Sequence, residues 1–174
     1  MARIVNARLI AQLLQQHGEA LQRYAAQWTV TPEDCVQEAI VKLAGLDALP
    51  ESPAAWLYRV VRNDALNRGR GERRRVAHEQ HAAKLYQQRV SESGSSEDLR
   101  ALAEALSRLE AADRELVTLR IWSELTWEQI GQLTNQSSST AQRRYVVALK
   151  KIKKELETTC LTNPDPTNSK CRRS

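Results

Sequence analysis

The stretch Thr126–Leu156, TWEQIGQLTNQSSSTAQRRYVVALKKIKKEL, leaves this chain few ways to fold. Thr126 followed three residues later by Gln129 has the form of a capping box, which satisfies orphan N–H groups at a helix start. Ile130 and Leu133 give that short helix its apolar side. Thr134-Asn135-Gln136-Ser137 then supplies side chains that hydrogen-bond their own backbone and stop a helix. A second helix starts among Ser137, Ser138 and Ser139, each of which has the hydroxyl to cap it.

In the second helix Ala141, Tyr145, Ala148, Leu149, Ile152 and Leu156 form one apolar stripe at the helical period. The opposite side carries Ser139, Gln142, Arg143, Val146 and Lys150. Two amphipathic helices joined by a short turn make a helix-turn-helix, whose second helix presents its N-terminal residues to base edges in the major groove. Gln and Arg suit that task, since each makes two hydrogen bonds to one base. On these residues alone, a helical hairpin with a solvated basic face remains the alternative.

Of the 174 residues, 41% are hydrophobic and 27% charged, which describes a globular chain rather than a disordered one. No apolar run approaches the ~20 residues of a membrane helix. The N-terminus, MARIVNARLIAQLLQQHGE, lacks a small-residue cleavage site after an apolar core. The expectation is a cytoplasmic protein without membrane insertion. Cys35, Cys160 and Cys171 form no CxxC pair and fall into no zinc pattern with His17, His78 and His81, so no metal or other cofactor is expected. The net charge of +5 is unevenly placed. Ser52–Arg75 carries seven arginines against Asp64 and Glu72, and Ser138–Glu157 six Arg or Lys against two Glu. Glu92–Glu128 between them has nine acids against four arginines. Two basic blocks around an acidic one predict two contacts with a polyanion.

Helical spacing of Leu9, Leu13, Leu14, His17, Leu21, Tyr24 and Trp28 predicts a first helix over ~5–28. Thr31-Pro32 starts a second, with Val36, Ala39, Ile40 and Leu43 inward and Asp34, Gln37, Glu38 and Val41 outward, ending near Gly45. Ser52-Pro53 starts a third. It turns Trp56, Leu57, Val60 and Val61 inward and Arg59, Arg62, Asn63, Asn67 and Arg70 outward, and Gly69 and Gly71 weaken its end. Val76–Asp98, with its Ser/Gly-rich second half, reads as a flexible linker. Leu99, Leu102, Ala103, Leu106 and Leu109 restore the helical stripe. Asp113 is expected to cap the next helix, with Leu116, Val117, Leu119 and Ile121 as its apolar content. The predicted architecture is all-α: two small helical domains, 1–75 and 99–157, joined by linker 76–98 and followed by a disordered tail, 158–174.

Three blocks, PEDCVQEAIVKL (Pro32–Leu43), AAWLYRVVRNDALNRGRGERRR (Ala54–Arg75) and Leu109–Leu156, occur in this order and at about this spacing in a known family. Together they make the chain resemble the extracytoplasmic-function sigma factors of bacterial RNA polymerase. That resemblance implies a promoter-specificity subunit without catalysis, whose partners are core RNA polymerase, promoter DNA and an inhibitory anti-sigma factor.

It implies that Asp34, Gln37 and Glu38 dock on the clamp helices of the polymerase's largest subunit. An acid in the first turn also favours the helix dipole, so Asp34 has a structural reading of equal standing. Arg59, Arg62, Asn63, Asn67 and Arg70 would lie along single-stranded or forked DNA, with Trp56 and Tyr58 as nearby aromatics. Ser139, Gln142 and Arg143 would read the upstream element as duplex, with Lys150 nearer a phosphate. The chain departs from the family's usual Gly and Val at the turn, where it has Asn135-Gln136, and from its Val-Lys-Ser-Arg run, here Ala141-Gln142-Arg143-Arg144. The competing reading is a stand-alone helix-turn-helix regulator of duplex DNA, which leaves the first two blocks without a task. A nuclease holding metal on Glu33, Asp34 and Glu38 is a third reading, and no further ligands converge on those acids.

Overall fold

The computed structural model describes residues 5–76 and 97–162, and every regular element among them is an α-helix. In order these are α1 (Ala7–Ala25), α2 (Pro32–Ala44), α3 (Pro53–Val76), α4 (Glu97–Ser107), α5 (Ala111–Trp122), α6 (Trp127–Thr134) and α7 (Ser138–Thr162). The all-α expectation holds. The expected linker overlaps the described helices only at its ends, and its residues 77–96 lie outside the described residues. Residues 158–162, expected in the tail, continue α7, and 163–174 lie outside the described residues. The helix is held that far because Ile152 and Leu156 pack on Ala105 and Leu109, and Arg108 pairs with Glu155 at 2.6 Å.

The N-terminal domain packs α1, α2 and α3 around Leu13, Leu21, Tyr24, Val36, Leu43, Leu57 and Val61. Asn6 caps α1 by accepting from the Leu9 N–H at 2.8 Å. Pro32 opens α2 as expected, but Thr31 makes no side-chain cap. The loop before α2 is fastened from a distance instead. Glu72, on the last turns of α3, accepts from the Thr29 hydroxyl at 2.5 Å and the Val30 N–H at 3.2 Å.

Gly69 does not weaken α3, which runs through it to Val76. A Cβ there would stand 2.1 Å from the Trp28 carbonyl oxygen. Glycine is therefore what lets helix and loop approach so closely. Tyr58, named as an aromatic near the arginines of α3, is 1% exposed and meets Tyr24 edge-on at 5.3 Å. Trp56 is half-buried against the same core.

In the C-terminal domain Ala105, Leu109, Val117, Ala148 and Ile152 gather α4, α5 and α7 into one cluster. Leu116, Leu119, Leu125, Ile130, Leu133 and Ala141 face the other way and join the core of the N-terminal domain. The two domains thus share buried apolar surface. Ile121, expected inside, is 53% exposed, because the turn from α5 to α6 comes immediately after it. That turn puts Glu124 at φ 57°, and the buried Ser123 hydroxyl secures it by donating to the Leu119 carbonyl and accepting from the Leu125 N–H.

Candidate nucleic-acid interface

The helix-turn-helix forms by the local chemistry its residues carry. Thr126 accepts from the Gln129 N–H at 3.3 Å while Gln129 Oε1 accepts from the Thr126 N–H at 2.9 Å, a complete capping box. Asn135 ends α6 in the left-handed conformation, φ 56° and ψ 46°, the role a glycine often takes. Gly131 supplies the space for the turn, since a Cβ there would meet the Gln136 carbonyl oxygen at 2.7 Å. Ser137 starts α7: its Oγ accepts from the Thr140 N–H at 3.2 Å and its carbonyl from the Ala141 N–H at 2.9 Å.

Ser139, Gln142, Arg143, Val146 and Lys150 are all exposed. At 100° per residue they fall within an arc of about 100° on α7. Leu149, placed on the buried stripe by its spacing, is 38% exposed at the edge of that stripe. The neighbouring cations have another use. Arg144 reaches Asp113 Oδ1 at 2.7 Å and Lys151 reaches Oδ2 at 3.0 Å. Asp113 is therefore not the cap of α5, whose N-cap is Glu110; it sits in the first turn and ties α5 to α7. Burial pushes its pKa up, but the hydrogen bonds from Lys151 and Arg144 outweigh this, and the net shift is downward.

On α3, Arg59, Asn63, Asn67 and Arg70 are exposed and share an arc of about 80°. Arg62 departs from them. Its Nε donates to Glu115 Oε1 at 2.6 Å and its Nη2 to Oε2 at 3.3 Å. The Tyr24 hydroxyl donates to the same Oε1 at 2.7 Å. Glu115 lies on α5 and was not singled out by sequence reasoning, because an acid inside AADRELVTLRIW shows no sign of a partner 53 residues away. Burial, reinforced by the Glu115 charge, holds the Tyr24 hydroxyl protonated far above its ordinary range.

The third set lies on α2. Gln37 is exposed, and Glu38 is half-exposed with Lys42 at 3.4 Å. Asp34 pairs with Arg68 Nη1 at 3.3 Å, while Arg68 Nε donates to Asp64 at 2.8 Å. Asp34 thus has a structural task, bracing α2 against α3, while part of its carboxylate stays exposed. Val41 extends this outer face, with 67% of its surface exposed. No group of three or more His, Cys, Asp or Glu among the described residues is placed to hold a metal ion.

Two family profiles match separate parts of the chain. Residues 13–75 match the profile of sigma-70 region 2, and residues 99–152 that of sigma-70 region 4. The fold is similar to that of the sigma factor RpoE, solved in complex with the anti-sigma factor NepR from Bartonella quintana. There the TM-score is 0.64 and the identity 21%, over 87% of this chain and 98% of that one. It is also similar to CnrH, solved with the cytosolic domain of CnrY, with a TM-score of 0.61 and 23% identity over 88% and 90% of the two chains. No curated protein matches the chain in sequence.

Proposed function

We propose how this chain works from the premise that it belongs to the sigma-70 family, as a sigma factor of the extracytoplasmic-function type that directs transcription initiation. Residues 1–75 bind core RNA polymerase through the outer face of α2, where Gln37, Glu38 and part of Asp34 are exposed beside Val41. The arc of Arg59, Asn63, Asn67 and Arg70, with Arg62 at its edge, follows one strand of the downstream promoter element. Guanidinium groups there meet phosphates and the amides meet unpaired bases. Residues 99–157 read the upstream element as duplex through Ser139, Gln142 and Arg143, with Lys150 on a phosphate. Val146, exposed within the same arc, suits a thymine methyl group.

The sorting of polar residues around α7 supports this reading best. Arg144 and Lys151 are engaged by Asp113, whereas the residue types suited to bases and phosphates stay exposed on one side. The protein contributes binding energy and no catalysis of its own, works in the cytoplasm, and is inhibited by an anti-sigma protein that covers the face of α2. Its test is base specificity. Gln142→Ala and Arg143→Ala are expected to cost ~1–3 kcal/mol on a duplex selected for tight binding and to relax the preference at one position each. Equal losses on every sequence would show contact with phosphates only.

A further inference from the structure

The half of α7 that carries Gln142 and Arg143 is seated on a shallow apolar seam. Ala141 and Ala148 are buried there but present one methyl group each, and the part-buried Tyr145 meets Trp127 edge-on at 5.4 Å. The larger anchors, Ile152 and Leu156, come later in the helix, against Ala105 and Leu109. A packed helix resists turning about its own axis when large side chains fill the grooves of its neighbour. Methyl groups beneath Gln142 and Arg143 supply little of that resistance.

Asp113 supplies it instead. It lies in the first turn of α5 with its side chain 7% exposed. Its Oδ1 accepts from Arg144 Nε at 3.1 Å and Nη2 at 2.7 Å, and its Oδ2 from Lys151 Nζ at 3.0 Å. These are charge-assisted bonds, short and directional. Arg144 follows Gln142 and Arg143 directly. Lys151 comes seven residues later, about 10 Å along the axis and within about 20° of the same line. One carboxylate thus grips α7 at two levels of a single line, which fixes the rotation of the helix.

We propose that Asp113 is a positioning residue for the upstream promoter element: through Arg144 and Lys151 it sets the rotation of α7 at which Gln142 and Arg143 meet base edges. The proposal rests on the reading of α7 as the base-contacting helix. Side-chain tips stand about 6 Å from the helix axis, so a turn of about 10° moves them by about 1 Å. Two hydrogen bonds to one base do not survive that displacement, whereas a long cation follows a phosphate across it. Loss of the clamp therefore costs discrimination between bases and spares affinity for duplex of any sequence.

The test uses the full chain, at a temperature where circular dichroism shows every variant folded. Affinities are measured for a duplex selected for tight binding, for its single-base variants, and for random duplex. Asp113→Ala with Arg144→Gln removes one charge of each sign and leaves the net charge at +5. It is expected to lower the preference for the selected duplex over its single-base variants about tenfold, the worth of one bidentate pair. Affinity for random duplex, set by charge, is expected to stay within about twofold. An undiminished preference would overturn the proposal, as would equal losses on all the duplexes.

A double-mutant cycle separates positioning from a general loosening of the domain. With Gln142→Ala and Arg143→Ala already present, breaking the clamp is expected to change the residual preference by less than about twofold, because the side chains it positions are gone. A further drop as large as in the parent would overturn the proposal. If Gln142→Ala with Arg143→Ala alone leaves the parent's preference intact, the base-reading role of α7 falls, and the positioning role with it. If that pair relaxes the preference while the clamp variant retains it, only the positioning role falls. Should the clamp variant unfold, Lys151→Gln breaks one of the two levels and is expected to lower the preference about threefold, half the effect on a logarithmic scale. An unchanged preference in Lys151→Gln would then overturn the proposal.

Discussion

Replacing Gly69 by alanine is expected to destabilise the N-terminal domain even though alanine is the better helix former. The propensity gain is about 1 kcal/mol. Against it, the new Cβ would stand 2.1 Å from the Trp28 carbonyl oxygen and 3.0 Å from its carbon. Relief requires a shift of about 1 Å between α3 and the Trp28–Thr31 segment, since the obstacle is backbone and cannot rotate away. That shift breaks or stretches the two hydrogen bonds of Glu72 to Thr29 and Val30, each worth roughly 1.5–3 kcal/mol as bonds to a charged group. It also disturbs the edge-on contact of Tyr24 with Trp28 at 5.0 Å.

The net loss is about 2–4 kcal/mol. At roughly 2–4 °C per kcal/mol for a chain of this size, the melting temperature falls by about 5–15 °C. Urea unfolding and calorimetry measure it, with Gly18→Ala as the reference. Position 18 has only Leu14 Cδ2 at 3.9 Å, so alanine there is expected to stabilise by about 0.5–1 kcal/mol. Equal stabilisation by both substitutions would refute the reasoning.

Asp113 is expected to contribute to the acid stability of the C-terminal domain. Its pKa is lowered in the folded state, so its stabilising pairs are fully present above the ordinary aspartate value near 4 and are lost as pH falls through the lower folded value. Asp113→Asn is expected to cost about 1–3 kcal/mol at pH 7, below the range for fully buried pairs because Arg144 and Lys151 remain partly in water. It should also flatten the decline in stability as pH falls below about 4, followed by circular dichroism; an unchanged acid profile would remove Asp113 from this role. On α2, Glu38→Ala is expected to weaken core polymerase binding while leaving the unfolding free energy within ~0.5 kcal/mol of the parent, since the Lys42 pair it breaks is exposed. Unchanged affinity for core would detach Glu38 from the polymerase-binding face.

The local grammar of this chain was legible residue by residue. The Thr126–Gln129 capping box, the left-handed Asn135 and the serine that opens α7 are short-range chemistry, and each appears in the structure. The outward placement of Arg59, Asn63, Asn67, Arg70, Ser139, Gln142, Arg143 and Lys150 follows from helical spacing in the same way. What spacing does not carry is which side chains meet across the fold. Arg62 and Asp113 each have the right periodicity for the roles assigned to them, a DNA contact and a helix cap. Each is instead engaged by a partner from a distant helix, Glu115 and the Arg144–Lys151 pair. Gly69 was misjudged for the same reason, because its need arises from the Trp28 carbonyl of another segment. Tyr58 is a milder case: its core position follows from α3 packing on α1, which no local pattern displays.

The central claim is that one chain supplies two promoter contacts to polymerase. It is tested most directly by promoter-dependent initiation with the purified chain, core RNA polymerase and DNA enriched for binding to the reconstituted holoenzyme. The expected result is a stable complex with core and initiation from one start site, lost on the same template when either Arg59 and Asn63 or Gln142 and Arg143 are replaced by alanine. No complex with core and no initiation on any enriched template, with tight specific duplex binding by the chain alone, would contradict the account.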